Sequence, residues 1–180
     1  MKAPLRIAIA GLGTVGGGVM KALQARAHDL AERAERRLEV IAVSARDRRK
    51  PRAADVSRVP WCGDPVALAK SDADVVVELI GGEEGVAREL VEASLASGKH
   101  VVTANKALLA HHGARLARMA EDRGLALKFE AAAAGGIPIV KALRESLIAH
   151  GIVSVRGILN GTCNYILTNM EKTERSFARC

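Results

Sequence analysis

A doubly wound, parallel α/β sheet is the predicted fold class, and three observations predict it. Apolar runs of strand length alternate with helical stretches over residues 5–130, the order that builds βαβ units. The first run, Leu5–Ala10, leads straight into Gly11-x-Gly13-x-x-Gly16, and a helical pattern follows at once. A hydrophobic share of 49% against 2% aromatics leaves Ala, Val, Leu and Ile to pack a sizeable core.

The elements follow in order. Leu5–Ala10 is the first strand, Thr14 to Arg37 the first helix, and Leu38–Val43 an apolar second strand. Arg46–Pro60, with its prolines and charges, reads as a loop. Asp64-Pro65 opens a short helix, with Asp64 as N-cap and proline at the first helical position. Asp74–Ile80 is a buried type of strand that runs into Gly81-Gly82. Glu84–Ser97 is helical and ends at Gly98, as helices ending in a left-handed glycine do. His100–Thr103 is a strand, Ala107–Arg123 a helix closed by Gly124, and Leu125–Glu130 one more strand. After Glu130 the character changes. Ala131–Gly136 is a small-residue stretch, Pro138–His150 a helix, Val153–Leu159 a strand, Asn160-Gly161 a turn and Thr162–Met170 a helix start. The domain boundary falls near residue 131, giving 1–131 and 132–180. A last piece of that size is too short for a core of its own.

The glycine pattern carries weight because a strand precedes it and a helix follows. Gly11 allows a tight turn, Gly13 lets a pyrophosphate approach the backbone, and Gly16 lets helix and strand pack closely. The helix start then offers free N–H groups and a positive dipole end to phosphate. An ordinary glycine-rich βα turn is the plainer alternative. At the end of the second strand, a carboxylate would bind a ribose 2′-OH and an arginine a 2′-phosphate. Here the strand runs out as Val43-Ser44-Ala45-Arg46, which favours NADP(H) over NAD(H), because a guanidinium pairs with phosphate bidentately. Asp47, one step on, keeps NAD open, and a solvated Arg46 is the plainer reading.

Composition excludes other classes. No run of 18 apolar residues exists to span a membrane. The first strand starts at Leu5, so no signal peptide is expected. Three scattered cysteines (Cys62, Cys163, Cys180) lack metal-ligand spacing and fit a reducing cytoplasm. Net charge is +7, with arginines concentrated over Arg26–Arg58, but no recognition module or stacking aromatics accompany it, so no nucleic-acid partner is expected. His111-His112 follow no metal spacing and read as surface residues.

Several segments together resemble the homoserine dehydrogenases: GLGTVG at Gly11–Gly16, ELIGG at Glu78–Gly82, TANKALLA at Thr103–Ala110, FEAAAAGGIPI at Phe129–Ile139 and GILNGTCNYILTNM at Gly157–Met170. The last three are specific to that family, and the match in order and spacing runs over residues 5–173. The resemblance implies a Rossmann-type dinucleotide domain followed by the beginning of an α+β catalytic domain. It implies NADP(H)-dependent interconversion of L-homoserine and L-aspartate 4-semialdehyde in amino-acid (threonine, methionine) biosynthesis, by a cytoplasmic homodimer. The sequence stops at Cys180, and its tail ERSFARC departs from the family after Thr173, where a glycine is usual. The expectation is therefore a truncated member that binds dinucleotide but turns over little. A non-catalytic dinucleotide-binding module and another oxidoreductase on the same fold are the alternatives.

Residue by residue, the resemblance places Thr14 and Val15 against the cofactor phosphates, although Thr14 also fits a plain helix cap. Gly81-Gly82, after the third long strand, allow backbone approach to ribose or nicotinamide, or form an ordinary turn. Lys106 is expected to contact the cofactor close to the reacting centre; a solvated first-turn lysine is the alternative, one that helix electrostatics disfavours. Glu130, Ala133, Gly135 and Ile137 match the family positions that hold a sodium ion, and a hinge explains the small residues equally well. Asn160, Gly161, Thr162 and Asn164 match a region facing nicotinamide and substrate, compatible with a helix cap by Thr162.

Overall fold

The computed structural model describes residues 2–157 and 160–179. The chain divides into two compact units, Met1–Ile137 and Pro138–Cys180.

In the first unit the strands are β1 (Leu5–Ala10), β2 (Leu38–Ser44), β3 (Val75–Glu78), β4 (His100–Thr103) and β5 (Leu127–Lys128). They form one sheet in the order β2-β1-β3-β4-β5, and every pairing is parallel. The chain therefore winds outward from β1 to one edge and then returns to build the other. Such a reversal leaves a crevice between the carboxyl ends of β1 and β3, where ligands of open α/β sheets collect. The helices are α1 (Thr14–Ala25), α2 (Ala27–Ala34), α3 (Val86–Ala96) and α4 (Lys106–Glu121).

Pleating divides each central strand between two cores. Ala8, Ala10 and Val76 face one cluster with Leu68, Ala69 and Leu90. Ile7, Ile9 and Val77 face the other, with Leu12, Met20 and Val43. A third cluster joins Val91 and Leu95 of α3 to Leu108 and Leu116 of α4 and to Val101 and Leu127. Burial on both faces is why these strands read as nearly unbroken apolar runs.

Most boundaries fall where the sequence predicts, and the departures have local causes. The first helix is two helices, because Arg26 leaves helical geometry at φ −118°, ψ 26°. Beyond that break α2 buries no residue, so no packed face requires the helix to continue. The third strand stops at Glu78 rather than Ile80, since the Glu78 side chain takes the N–H groups of Ile80 and Gly81. The fifth strand contracts from Leu125–Glu130 to two residues, and a single 3-10 turn follows over Glu130–Ala132. The short helix after Asp64 is a 3-10 helix, Pro65–Lys70, capped by the Asp64 carboxylate as expected. Gly98 and Gly124 adopt φ of +76° and +64° just beyond α3 and α4, the left-handed turn a glycine permits.

The second unit contains α5 (Ile139–Lys141), a wider π-type turn over Ala142–Ser146, α6 (Gly161–Thr173) and a 3-10 turn at Phe177–Arg179. The expected helix Pro138–His150 thus ends at Ser146. The expected strand over Val153–Leu159 is absent at 153–157, and Ile158 and Leu159 lie outside the described residues. Alternating valines alone do not make a strand when no neighbour takes up the backbone groups. None of the described residues of this unit is buried.

At the amino ends of the strands, Arg6 and Asp74 tie β1 to the start of β3. Arg6 donates through its backbone N–H and through its guanidinium to the Asp74 carboxylate, at 2.8 and 2.9 Å. The hydrogen bonds from the Arg6 side chain and backbone hold the Asp74 carboxyl below its usual range. A carboxyl depressed in the folded state stabilises the fold above its unfolded pKa, and that contribution is lost as pH falls through the folded value. Wild type should therefore be more stable than Asp74→Asn at neutral pH. The difference should shrink only below the ordinary value of 3.8, as urea unfolding across an acid series would show.

Candidate functional site

Four loops meet at the carboxyl edge of the sheet, and the β1–α1 turn sets their spacing. Gly11 has φ of +95°, and a Cβ there would stand 2.4 Å from the Leu79 carbonyl oxygen on the neighbouring strand exit. A Cβ on Gly16 would stand 1.9 Å from the Gly11 carbonyl oxygen. Both positions admit glycine alone, so the turn packs directly on β1 and on the end of β3. Gly13 differs, because nothing lies within 4 Å of where its Cβ would be. Its absent side chain opens space above the start of α1.

That helix start is bare. Gly13 is the N-cap and supplies no side-chain hydrogen bond, and no acidic residue sits in the first turn. The intrahelical ladder begins with the Gly17 N–H on the Gly13 carbonyl at 2.8 Å, so the Thr14, Val15 and Gly16 N–H groups have no partner within the helix. Thr14 and Val15 are exposed, and Thr14 is not the cap. Unsatisfied N–H groups and a positive dipole end make an anion site, and the open space over Gly13 lets a phosphate reach them.

On the β2 side, the Gly11 N–H donates to the Ser44 carbonyl at 2.8 Å, which binds the turn to the end of β2. Ser44 itself is buried, and its hydroxyl has no hydrogen-bond partner. Arg46 is exposed at the head of the basic loop. The loop is organised by two residues that the sequence reading passed over. Arg52 donates to the carbonyl oxygens of Asp47, Arg48 and Lys50, and its guanidinium lies 5.0 Å from the Trp61 ring centroid. Trp61 bridges to Val43 of β2, so the only tryptophan of the chain fastens a cationic loop beside the strand end.

On the other side stand the exits of β3 and β4. Gly81 and Gly82 take φ of +86° and +90° and are exposed. The Asn105 side-chain NH2 donates to the Gly82 carbonyl at 2.6 Å, and its oxygen caps α4 by accepting from the Leu108 N–H at 3.1 Å. Lys106 is therefore the first residue of α4, and it is exposed. The buried Glu78 carboxylate lies beneath these loops. The sequence signal for it was an acidic residue closing an otherwise apolar strand. Farther out, Glu84 accepts from Arg88 at 2.7 Å and pairs with His112 at 2.6 Å. His112 is not the plain surface residue expected, since its side chain is 18% exposed and holds the loop before α3 against α4. Hydrogen bonds from Arg88, then His112, keep the Glu84 carboxyl below its usual range.

The four residues expected to hold a cation lie where the first unit ends. The Glu130 carbonyl accepts from the Ala133 N–H at 3.3 Å, and the Ile137 N–H donates to Ala134 at 2.9 Å. Gly135 and Ile137 are exposed. Among the described residues no cluster of three or more His, Cys, Asp or Glu side chains could hold a metal. In the second unit Asn160, not Thr162, caps α6, its side-chain oxygen accepting from the Cys163 N–H at 3.0 Å. Thr162 and Asn164 are exposed in the first turn.

A five-stranded parallel sheet with a glycine turn, a bare helix start at the reversal point and a basic loop after β2 defines the class: a Rossmann-type dinucleotide-binding α/β unit. Residues 11–130 match the family model described as "Homoserine dehydrogenase, NAD binding domain", and 138–180 match "Homoserine dehydrogenase". The chain belongs to the homoserine dehydrogenase family. It is 47% identical over 175 residues to the homoserine dehydrogenase of Pseudomonas aeruginosa, covering 97% of this chain and 40% of that protein. The Corynebacterium glutamicum enzyme is 45% identical over 172 residues, covering 96% and 38%. A solved homoserine dehydrogenase from Thiobacillus denitrificans superimposes with a TM-score of 0.90 at 44% identity, over 98% of this chain and 41% of that one. The chain thus spans about 40% of the length of the curated relatives it matches.

The two glycines should separate by experiment. Gly16→Ala forces the Gly11 carbonyl aside and should destabilise the fold by several kcal/mol, about the scale of severe backbone strain and overpacking. Gly13→Ala meets only open space and should unfold within about 0.5 kcal/mol of wild type in urea, while losing affinity for any phosphate ligand seated there.

Proposed function

We propose that this chain supplies the dinucleotide half of an NADP(H)-dependent homoserine dehydrogenase. The observation that carries the reading is the open space over Gly13 against the partnerless N–H groups that begin α1. The donor set fits a pyrophosphate: backbone N–H groups, a dipole end and no carboxylate in the first turn. Gly11, Gly13, Thr14, Val15 and Gly16 would hold the pyrophosphate. Arg46, in a loop that Arg52 and Trp61 keep in place, would read a 2′-phosphate beside Ser44. The nicotinamide half would then lie over the exits of β3 and β4, against Gly81, Gly82 and Lys106.

When bound, the nicotinamide supplies or accepts the hydride, and the protein contributes binding, orientation and electrostatics. The Lys106 ammonium, leading α4 into the site, would neutralise the cofactor phosphate or polarise the oxygen at the reacting carbon. Asn160 and Thr162 are the residues we assign to the substrate side. Their exposed amide and hydroxyl suit the amino and carboxylate ends of L-homoserine or L-aspartate 4-semialdehyde. Backbone oxygens of Ala133, Gly135 and Ile137, with Glu130, would hold a sodium ion, a hard cation that prefers oxygen ligands. We assign the molecule to amino-acid biosynthesis in the cytoplasm, as a homodimer without a nucleic-acid partner. Among the described residues no helix is long and apolar enough to cross a membrane.

A fluorescence titration of the 180-residue chain with NADPH beside NADH tests the reading. Saturable binding that favours NADPH is the expected outcome. Arg46→Ala should weaken NADPH by about 10- to 100-fold, the worth of one charge-assisted contact, and leave NADH nearly unchanged. Equal loss for both cofactors would remove Arg46 from the 2′-phosphate.

A further inference from the structure

Glu78 is a carboxylate sealed under the ligand edge, with no solvent exposure. One oxygen accepts from the backbone N–H groups of Ile80 and Gly81, at 2.7 and 3.0 Å. The other accepts from the Thr103 hydroxyl at 2.5 Å. Thr103 in turn accepts from the Asn105 N–H at 2.9 Å, and the Asn105 side chain donates to the Gly82 carbonyl at 2.6 Å. The bonds close into a ring: Glu78, Thr103, Asn105, Gly82 and Gly81, back to Glu78. Every member lies at the exit of β3 or β4, and the ring ends one residue before Lys106.

Two consequences follow from this arrangement. The β3 exit presents consecutive backbone N–H groups, the kind of concavity that binds anions elsewhere, but here an internal carboxylate already fills it. Phosphate is thereby kept to the α1 start, the one exit of the pair whose N–H groups are unclaimed. The same carboxylate makes the Ile80–Gly82 turn and the start of α4 a single surface, since neither can shift without breaking bonds to a buried oxygen. A buried acceptor set of this kind is costly to leave half satisfied, which gives the ring its rigidity.

We propose that Glu78 is a positioning residue for the nicotinamide half of the bound dinucleotide, acting through the Gly81-Gly82 turn and the Lys106 end of α4. It rests on the dinucleotide reading above. Glu78 does not touch the ligand; it fixes the floor on which the nicotinamide ribose and ring lie, and it denies that floor to phosphate. Glu78→Gln keeps the volume and one acceptor oxygen while removing the charge and misdirecting a donor at Thr103. Thr103→Val cuts the bridge between the two exits without changing shape, and Thr103→Ser restores the hydroxyl.

The test is binding of NADPH compared with ADP, which probes the adenosine–pyrophosphate half alone, across wild type, Glu78→Gln, Thr103→Val and Thr103→Ser. The expected result is a loss of about tenfold or more in NADPH affinity for Glu78→Gln and Thr103→Val, the scale of a lost hydrogen bond to a charged group. ADP affinity should stay within about twofold of wild type, and Thr103→Ser should recover NADPH binding. Unchanged NADPH affinity in these variants, or equal losses for NADPH and ADP, would overturn the positioning role. Should Glu78→Gln not fold, the valine and serine variants decide the question by the same comparison. A wild-type chain that binds neither ligand would overturn the dinucleotide reading itself, an outcome distinct from failure of Glu78 alone.

Discussion

The approach of β1's exit to β3's exit governs everything above it. Gly11 lies so close to the Leu79 carbonyl, and Gly16 so close to the Gly11 carbonyl, that no side chain fits at either position. This contact draws the start of α1 down onto the sheet edge at the place where the winding reverses. Because the strands on either side pair in register from Ile7↔Val75 to Ala10↔Glu78, the two exits end level with one another. The crevice follows from that geometry: α1's free N–H groups on one wall, the Gly81-Gly82 turn on the other, and the basic loop beyond β2.

The two sides of the crevice are electrostatically unlike. Beyond β2 lie Arg46, Arg48, Arg49, Lys50 and Arg52 within one loop, held to the strand by the Trp61 bridge. At the β3 and β4 exits, a buried carboxylate takes up the available N–H groups. A ligand that carries its phosphates toward one end fits that difference with those phosphates on the α1 and β2 side.

Much of this was legible from residue order. The strand–glycine–helix junction, the alternation of elements and the cap at Asp64 each rest on local chemistry, and local chemistry is what a sequence displays. The Glu78 ring was not legible, because its partners are 25 and 27 residues away (78 to 103 and 78 to 105) and meet only through β3–β4 pairing. His112 was misread for the same reason: its partner Glu84 lies 28 residues away, with α3 and β4 between them. Arg52 is one of several charges in the Arg46–Pro60 loop, and its contact with the Trp61 ring depends on a bridge to Val43 that no spacing rule announces. In the second unit the errors have a different origin. Alternation at Val153 and Val155 imitates a strand, but the described residues there have no ladder to join.

Amide hydrogen exchange of the 180-residue chain, followed with and without saturating NADPH, reads out where the dinucleotide is held. Exchange should slow at Gly13–Gly16, where the N–H groups gain a phosphate partner. Little change is expected at Ile80 and Gly81, whose N–H groups are already held by Glu78 in the free protein. Exchange at Gly13–Gly16 that is the same in both states would contradict the claim that the start of α1 is where the dinucleotide is held.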